Sequence, residues 1–165
     1  HLGPIPRADF IGFLREGFAT GGATADEAAL VRILDLSEDV PYNVQQLASQ
    51  CWTLLTDGRR RHLDPALVDE GLAAVVSMQH VGYLQRWLRL TQAQKQTLRI
   101  VVTEPVDFVL TSVARRYGLP RSTMQRALEA LEAEHLLRSD ITRAAAVWRL
   151  EDPFMGAWLL TLQAG

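Results

Sequence analysis

Arg121, Ser122, Thr123, Gln125 and Arg126 stand together at the start of one amphipathic segment, on the side away from its apolar stripe. Their chemistry matches what nucleic acid offers. Hydroxyls and backbone amides at a helix start suit phosphate oxygens, while Arg and Gln suit base edges. Arg115 and Arg116 lie just before this group, and Arg143 follows it. A second reading of the same residues is a solvated helix face, because Glu129, Glu132 and Glu134 make the later turns acidic. Modules of this shape also dock proteins, and a fold alone does not decide between the two.

Little else in the sequence points to chemistry. His62, His80 and His135 are scattered and lack metal-ligand spacing. Cys51 falls on an apolar stripe with Ala48 and Leu55, the place of a small core residue and not of a nucleophile. Asp69 and Glu70 follow helix-surface spacing and have no partner for acid–base work. Arg59-Arg60-Arg61 reads as a solvated basic loop, with phosphate or a neighbouring nucleotide-bearing domain as the alternative. Trp148 reads as core.

The elements that must hold the basic face are legible around it. Val113, Ala114 and Tyr117 share one side of a short helix, which Gly118 ends. Pro120 opens the next helix, where Met124, Ala127, Leu128 and Leu131 repeat at helical spacing. This is a helix-turn-helix, and its second helix is the one that enters a major groove in DNA readers. A helix over 91–102 precedes it, and Phe108-Val109-Leu110 reads as a short strand. Residues 136–140 and 146–150 alternate like strands, with 141–145 between them as a wing. Asp152-Pro153 caps a last helix with Phe154, Trp158 and Leu159 inward.

Upstream, four helices are expected. The first carries Phe10, Phe13, Leu14 and Phe18 on its apolar side and stops at Gly21-Gly22. Thr24 caps the second, with Glu27 completing a capping box, and its stripe is Leu30, Ile33 and Leu34. The third buries Val44, Leu47, Ala48, Cys51 and Leu55 and ends at Asp57-Gly58. Asp64-Pro65 opens the fourth, with Leu67, Val68, Leu72, Val75 and Val76 inward. His80 to Leu90 is helical, with no Pro and one Gly, so it makes a stiff join. The organisation is a helical bundle over 1–79, a helical connector over 80–90 and a winged-helix domain over 91–165. The fold class is mainly α with a small β wing.

Composition limits the possibilities. The chain has 165 residues, 48% of them hydrophobic and 22% charged, with a net charge of −2. It should therefore fold, and it is not built as a strong non-specific polyanion binder. No apolar run reaches membrane-span length, and a single cysteine permits no intrachain disulfide. A cytoplasmic location is the default reading, and a start on His1 reads as a piece of something longer.

Both halves together resemble the helical lid and winged helix that follow the core of AAA+ and STAND-type P-loop ATPases, above all the archaeal-ATPase group. The lid helix of that group opens with a Gly-His-Pro-Tyr-Tyr-x-Gln-like signature, which stands here as Val40-Pro41-Tyr42-Asn43-Val44-Gln45-Gln46, followed by Trp52. The join Trp87-Leu88-Arg89-Leu90-Thr91-Gln92 and the ending Trp148-Arg149-Leu150-Glu151-Asp152-Pro153-Phe154, then Trp158-Leu159, are similar to the group's join and close. Asp39-Val40 replaces the group's Gly-His, and the chain contains no G-x-x-x-x-G-K-[ST] loop to cradle a triphosphate.

The resemblance implies a non-catalytic lid and winged helix, with ATP and Mg²⁺ held by a core upstream and no cofactor in this chain. It puts Pro41, Tyr42 and Gln45 near that nucleotide. The implied partners are the ATPase core and double-stranded DNA or a protein, with no membrane and an open oligomeric state. The alternative is a stand-alone winged-helix transcriptional regulator whose N-terminal helices dimerise or bind an effector.

Overall fold

The computed structural model describes residues 5–104, 110–141 and 146–163. It is mainly helical, and the chain divides into two compact units, His1–Gln79 and His80–Gly165. Each is taken by itself.

The first unit contains α1 (Arg7–Thr20), α2 (Glu27–Leu36), α3 (Pro41–Asp57) and the start of α4 (Pro65–Leu88). The spacing of apolar residues explains its core. Phe10, Leu14 and Phe18 of α1, Leu30, Ile33 and Leu34 of α2, and Val44, Leu47, Cys51 and Leu55 of α3 are all buried, as are Leu67, Val68, Val75 and Val76 of α4. Ala48 and Leu72 are half-buried. Gly71 sets how closely α3 and α4 approach, because a Cβ there would stand 2.8 Å from Cys51 Sγ. Burial pushes the Cys51 thiol up to about 12, which suits a core residue. Asp64 caps α4 by accepting from the Leu67 amide at 2.8 Å.

Two local expectations change here. Phe13 is 72% exposed and does not join the core. Thr24 does not cap α2: it lies in a two-residue strand, β1 (Thr24–Ala25), parallel to β2 (His62–Leu63). Its hydroxyl meets His62 Nδ1 at 2.7 Å, and the N-cap position belongs to Asp26, whose carboxylate meets His62 Nε2 at 3.0 Å. A pairing across the chain therefore wins over a local cap. α3 ends at Asp57 with Gly58 (φ −78°) as its C-cap, where the sequence places the end, and the left-handed residue is Arg59 (φ 51°), one position further.

The fourth helix runs without interruption to Leu88, so the fourth helix and the connector expected from the sequence are one element. The second unit continues with α5 (Gln92–Thr103), α6 (Leu110–Arg116), α7 (Arg121–Ala133), β3 (Leu137–Ile141), β4 (Ala146–Leu150) and α8 (Pro153–Gln163). Thr91 and Gln94 form a reciprocal capping box at the start of α5. Leu110 is helical and not part of a strand, while Phe108 and Val109 lie outside the described residues. β3 and β4 pair antiparallel, Leu137 against Leu150 through Ile141 against Ala146. Residues 142–145, Arg143 among them, lie outside the described residues.

Part of the core of this unit is aromatic. Trp158 of α8 lies 5.7 Å from Tyr83 and 6.3 Å from Trp87, ring centre to ring centre. Its Nε1–H donates to His80 Nδ1 at 3.0 Å. Tyr83 donates to Asp152 Oδ2 at 2.7 Å, and the other oxygen of that carboxylate caps α8 by accepting from the Phe154 amide. Burial first, and then the Asp152 hydrogen bond, hold the Tyr83 phenol protonated well above its usual range. Trp148 is half-buried.

Candidate nucleic-acid interface

The helix-turn-helix is built from α6, a four-residue turn and α7. Its turn closes as a Schellman motif: the Leu119 amide donates to the Ala114 carbonyl and the Gly118 amide to that of Arg115. The motif requires a left-handed residue, and Gly118 (φ 68°) provides it without a Cβ penalty. Val113 and Ala114 are buried on α6, and Met124, Ala127, Leu128 and Leu131 on α7. Burying that stripe fixes which residues face out.

Arg121, Ser122, Gln125 and Arg126 are exposed on α7, Thr123 is half-buried, and Arg115 and Arg116 are exposed at the end of α6. The N-cap of α7 is Pro120, which has no side-chain acceptor, so no side chain caps the first amides of the helix. These amides and the Ser122 hydroxyl share one end of the helix with Arg121, an arrangement that suits an anion.

The structure separates the arginines in a way their spacing does not. Arg116 pairs with Glu104, the residue after α5, and that carboxylate also accepts from Tyr117 Oη at 3.1 Å. Arg115, Arg121 and Arg126 form no ion pair or side-chain hydrogen bond among the described residues. Gln125 Nε2 donates to Glu129 Oε1 at 2.8 Å, and Glu132 accepts from Ser139 Oγ at 2.7 Å. In the wing strands, Arg149 stands 3.4 Å from Asp140. The Gln125–Glu129 pairing follows from i,i+4 spacing. No sequence signal announces the Glu104 contact, since it joins the ends of two helices.

The residues placed near a nucleotide by the resemblance lie elsewhere, in the first unit. Pro41 is the first residue of α3, and Tyr42 beside it is 74% exposed. Pro41 and Gln45 line a groove of about 630 Å³ between α1 and α3, walled by Phe10, Phe13, Phe18 and Trp52. Asp9 is the only charged residue among the described residues of that lining. An apolar groove with one carboxylate does not fit a triphosphate, and no group of three or more metal-ligating side chains occurs among the described residues. Asp39, where the resembled signature has glycine, is left-handed (φ 57°) and pairs with Arg7 at 2.9 Å.

No family model matches the sequence, and no curated protein matches it. Among solved structures, the chain is similar to Thermotoga maritima RuvB, the Holliday junction branch migration motor, at 14% identity with a TM-score of 0.43. A point mutant of the same protein gives 14% and 0.44. In both cases the match covers 90% of this chain and 47% of that one, so this chain spans less than half the length of the protein it matches. A likeness at this level assigns no activity. No helix among the described residues is long and apolar enough to cross a membrane.

Proposed function

We propose that this chain is the lid and winged-helix portion of an AAA+ or STAND-type P-loop ATPase, non-catalytic by itself, which couples the nucleotide state of an ATPase core to a grip on double-stranded DNA in the cytoplasm. The observation that carries the DNA part is the cluster of Arg115, Arg121 and Arg126, unpaired among the described residues, around the uncapped start of α7. The ATPase part rests on the ordered signature from Val40 to Trp52, the Trp87–Gln92 join and the Trp148–Leu159 ending. Coupling requires that the grip make different contacts in the two nucleotide states.

Two measurements test this. The intact gene product should carry a P-loop before residue 1 and hold duplex DNA with different affinity in ATP and ADP. The 165-residue chain alone should bind duplex and show no ATP turnover. Equal affinity in both nucleotides removes the coupling, and turnover by the chain alone removes the non-catalytic assignment. The exposed basic start of α7 also favours a second reading, a stand-alone DNA-binding regulator. A gene product without a P-loop that still binds duplex selects it.

A further inference from the structure

We infer that the basic loop after α3 forms a binding site for a small organic phosphate, one that joins a phosphoryl group to a flat apolar ring. The site is a hollow of about 390 Å³ within the first unit, lined by Arg59, Arg60 and Arg61 together with Gly21, Gly22 and Trp52. It is separate from the helix-turn-helix and does not depend on duplex binding there.

Two glycines and a ring set its shape. A Cβ on Gly21 would stand 2.0 Å from Trp52 Cη2, so a residue without a side chain is required for the indole to lie against this backbone. A Cβ on left-handed Gly22 (φ 82°) would stand 3.1 Å from Arg61 Nη1, which donates to the Gly22 carbonyl at 3.4 Å. The turn after α1 thus brings bare backbone to the hollow, and Trp52 and Arg61 close onto it. A hollow of this volume is the size of a small-molecule site, and too small for a folded partner.

The charge within it has one sign. The described residues of the lining include no carboxylate. Arg60 forks onto Glu70 at 3.2 and 3.0 Å, so its charge is answered from outside the hollow. Arg61 has only the long contact to Gly22, and the Arg59 side chain has no partner among the described residues. Two guanidinium groups with open donors suit a phosphoryl group, whose oxygens accept the planar fork. Half-buried Trp52 offers ring surface to an apolar body beside that anion. Arginines that only balanced the carbonyl end of α3 would need neither the aromatic wall nor the bare turn.

The test titrates phenyl phosphate, inorganic phosphate and phenol into the 165-residue chain at low salt, followed by calorimetry. Phenyl phosphate should bind one to one, about fivefold or more tighter than inorganic phosphate, because stacking adds to the ionic contact. Arg59→Gly and Arg61→Ala should each weaken it about three- to fivefold, the worth of an exposed charge pair. Arg59→Gly should fold as well as the parent, because glycine accepts the left-handed backbone, so its loss of binding reports the guanidinium. Quenching of intrinsic fluorescence by phenyl phosphate should disappear in Trp52→Phe. No saturable binding of phenyl phosphate, or binding that both arginine variants leave unchanged, overturns the site. Equal affinity for phenyl phosphate and inorganic phosphate overturns the ligand class, and so does displacement of phenyl phosphate by a short DNA duplex, which would put a backbone phosphate there instead.

Discussion

Both units place aromatic residues where helices meet, yet they finish the job differently. In the second unit, Tyr83, Trp87 and Trp158 are enclosed, and each meets a chosen neighbour: the phenol has Asp152, the Trp158 indole has His80, and Trp87 lies beneath Lys95 and Arg99 at 5.7 and 4.9 Å. In the first unit, Phe18 and Trp52 touch at 6.3 Å, but Phe13 stands in solvent and the space between α1 and α3 stays open as an apolar groove. The difference shows that aromatic content does not make a core. Closure depends on what the facing element presents. α4 and α8 bring polar partners that allow amphipathic rings to be buried without stranding their N–H and O–H groups. The α1–α3 crossing brings only Pro41, Val44, Gln45, Ala48, Ser49 and Trp52 from α3, too little to cover Phe13.

The strongest way to break this contrast is Trp158→Ala. The side chain is fully buried at the centre of the second unit, so its loss should cost about 3–5 kcal/mol. Thermal unfolding followed by far-ultraviolet dichroism should show a large drop in Tm. A loss as small as that of a surface change would mean the aromatic cluster is not what holds this unit together.

A smaller effect of the opposite kind is expected in the first unit from Gly71→Ala. The added methyl meets Cys51 Sγ at 2.8 Å and Leu47 Cδ1 at 3.5 Å, an overpacking that costs about 1–3 kcal/mol. Chemical denaturation of the variant measures it, and an unchanged midpoint would show that α3 and α4 separate freely. Cys51 sharpens the same point through pH. Its folded pKa is raised from 9.0 to about 12 by burial, so the folded state holds the proton more tightly than the unfolded chain. The resulting stability is complete below pH 9 and declines as pH rises toward 12. Denaturant midpoints across that window should fall less steeply in Cys51→Ala than in the parent, and parallel curves would contradict a buried thiol.

Tyr83→Phe comes next. It removes one hydrogen bond to a half-buried carboxylate that keeps its second oxygen on the Phe154 amide, so about 1–2 kcal/mol should be lost while the fold persists. A double-mutant cycle with Asp152→Asn separates this contact from ring packing. A coupling energy near zero would show that the phenol hydroxyl serves solubility and not the α4–α8 contact.

The contrast between the units also marks how far the sequence could be read. Periodicity exposes a helix and its buried side, so the stripes of α2, α3 and α7 and the two-stranded sheet after the helix-turn-helix follow from apolar spacing. It says nothing about whether the opposite wall is wide enough, which is why Phe13 reads as core by spacing and stands in water. Pairings across the chain carry no local signal. Thr24 and His62 are 38 residues apart, and only the folded chain shows that Thr24 serves a parallel bridge while Asp26 takes the helix start. Within the candidate interface the type and spacing of the arginines were visible, but the sorting of Arg116 from Arg115 depends on Glu104 arriving from another helix. Left-handed helix ends were only half visible: Gly118 follows the glycine rule, whereas Arg59, Glu38 and His135 adopt the same conformation with side chains that carry a steric cost.

Phe13→Ser should have the smallest effect, and it tests the open side of the contrast directly. With 72% of Phe13 exposed, replacing the ring removes little buried area, and the change in stability should stay within about 0.5 kcal/mol. The same substitution makes the groove lining more polar, so binding of a hydrophobic dye to the folded chain should fall if the α1–α3 groove is accessible in solution. A loss of stability above about 1 kcal/mol, in the range of a buried side chain, would mean that something covers Phe13 in the free protein. The first unit would then be as closed as the second, and the contrast between them would not hold for the chain in solution.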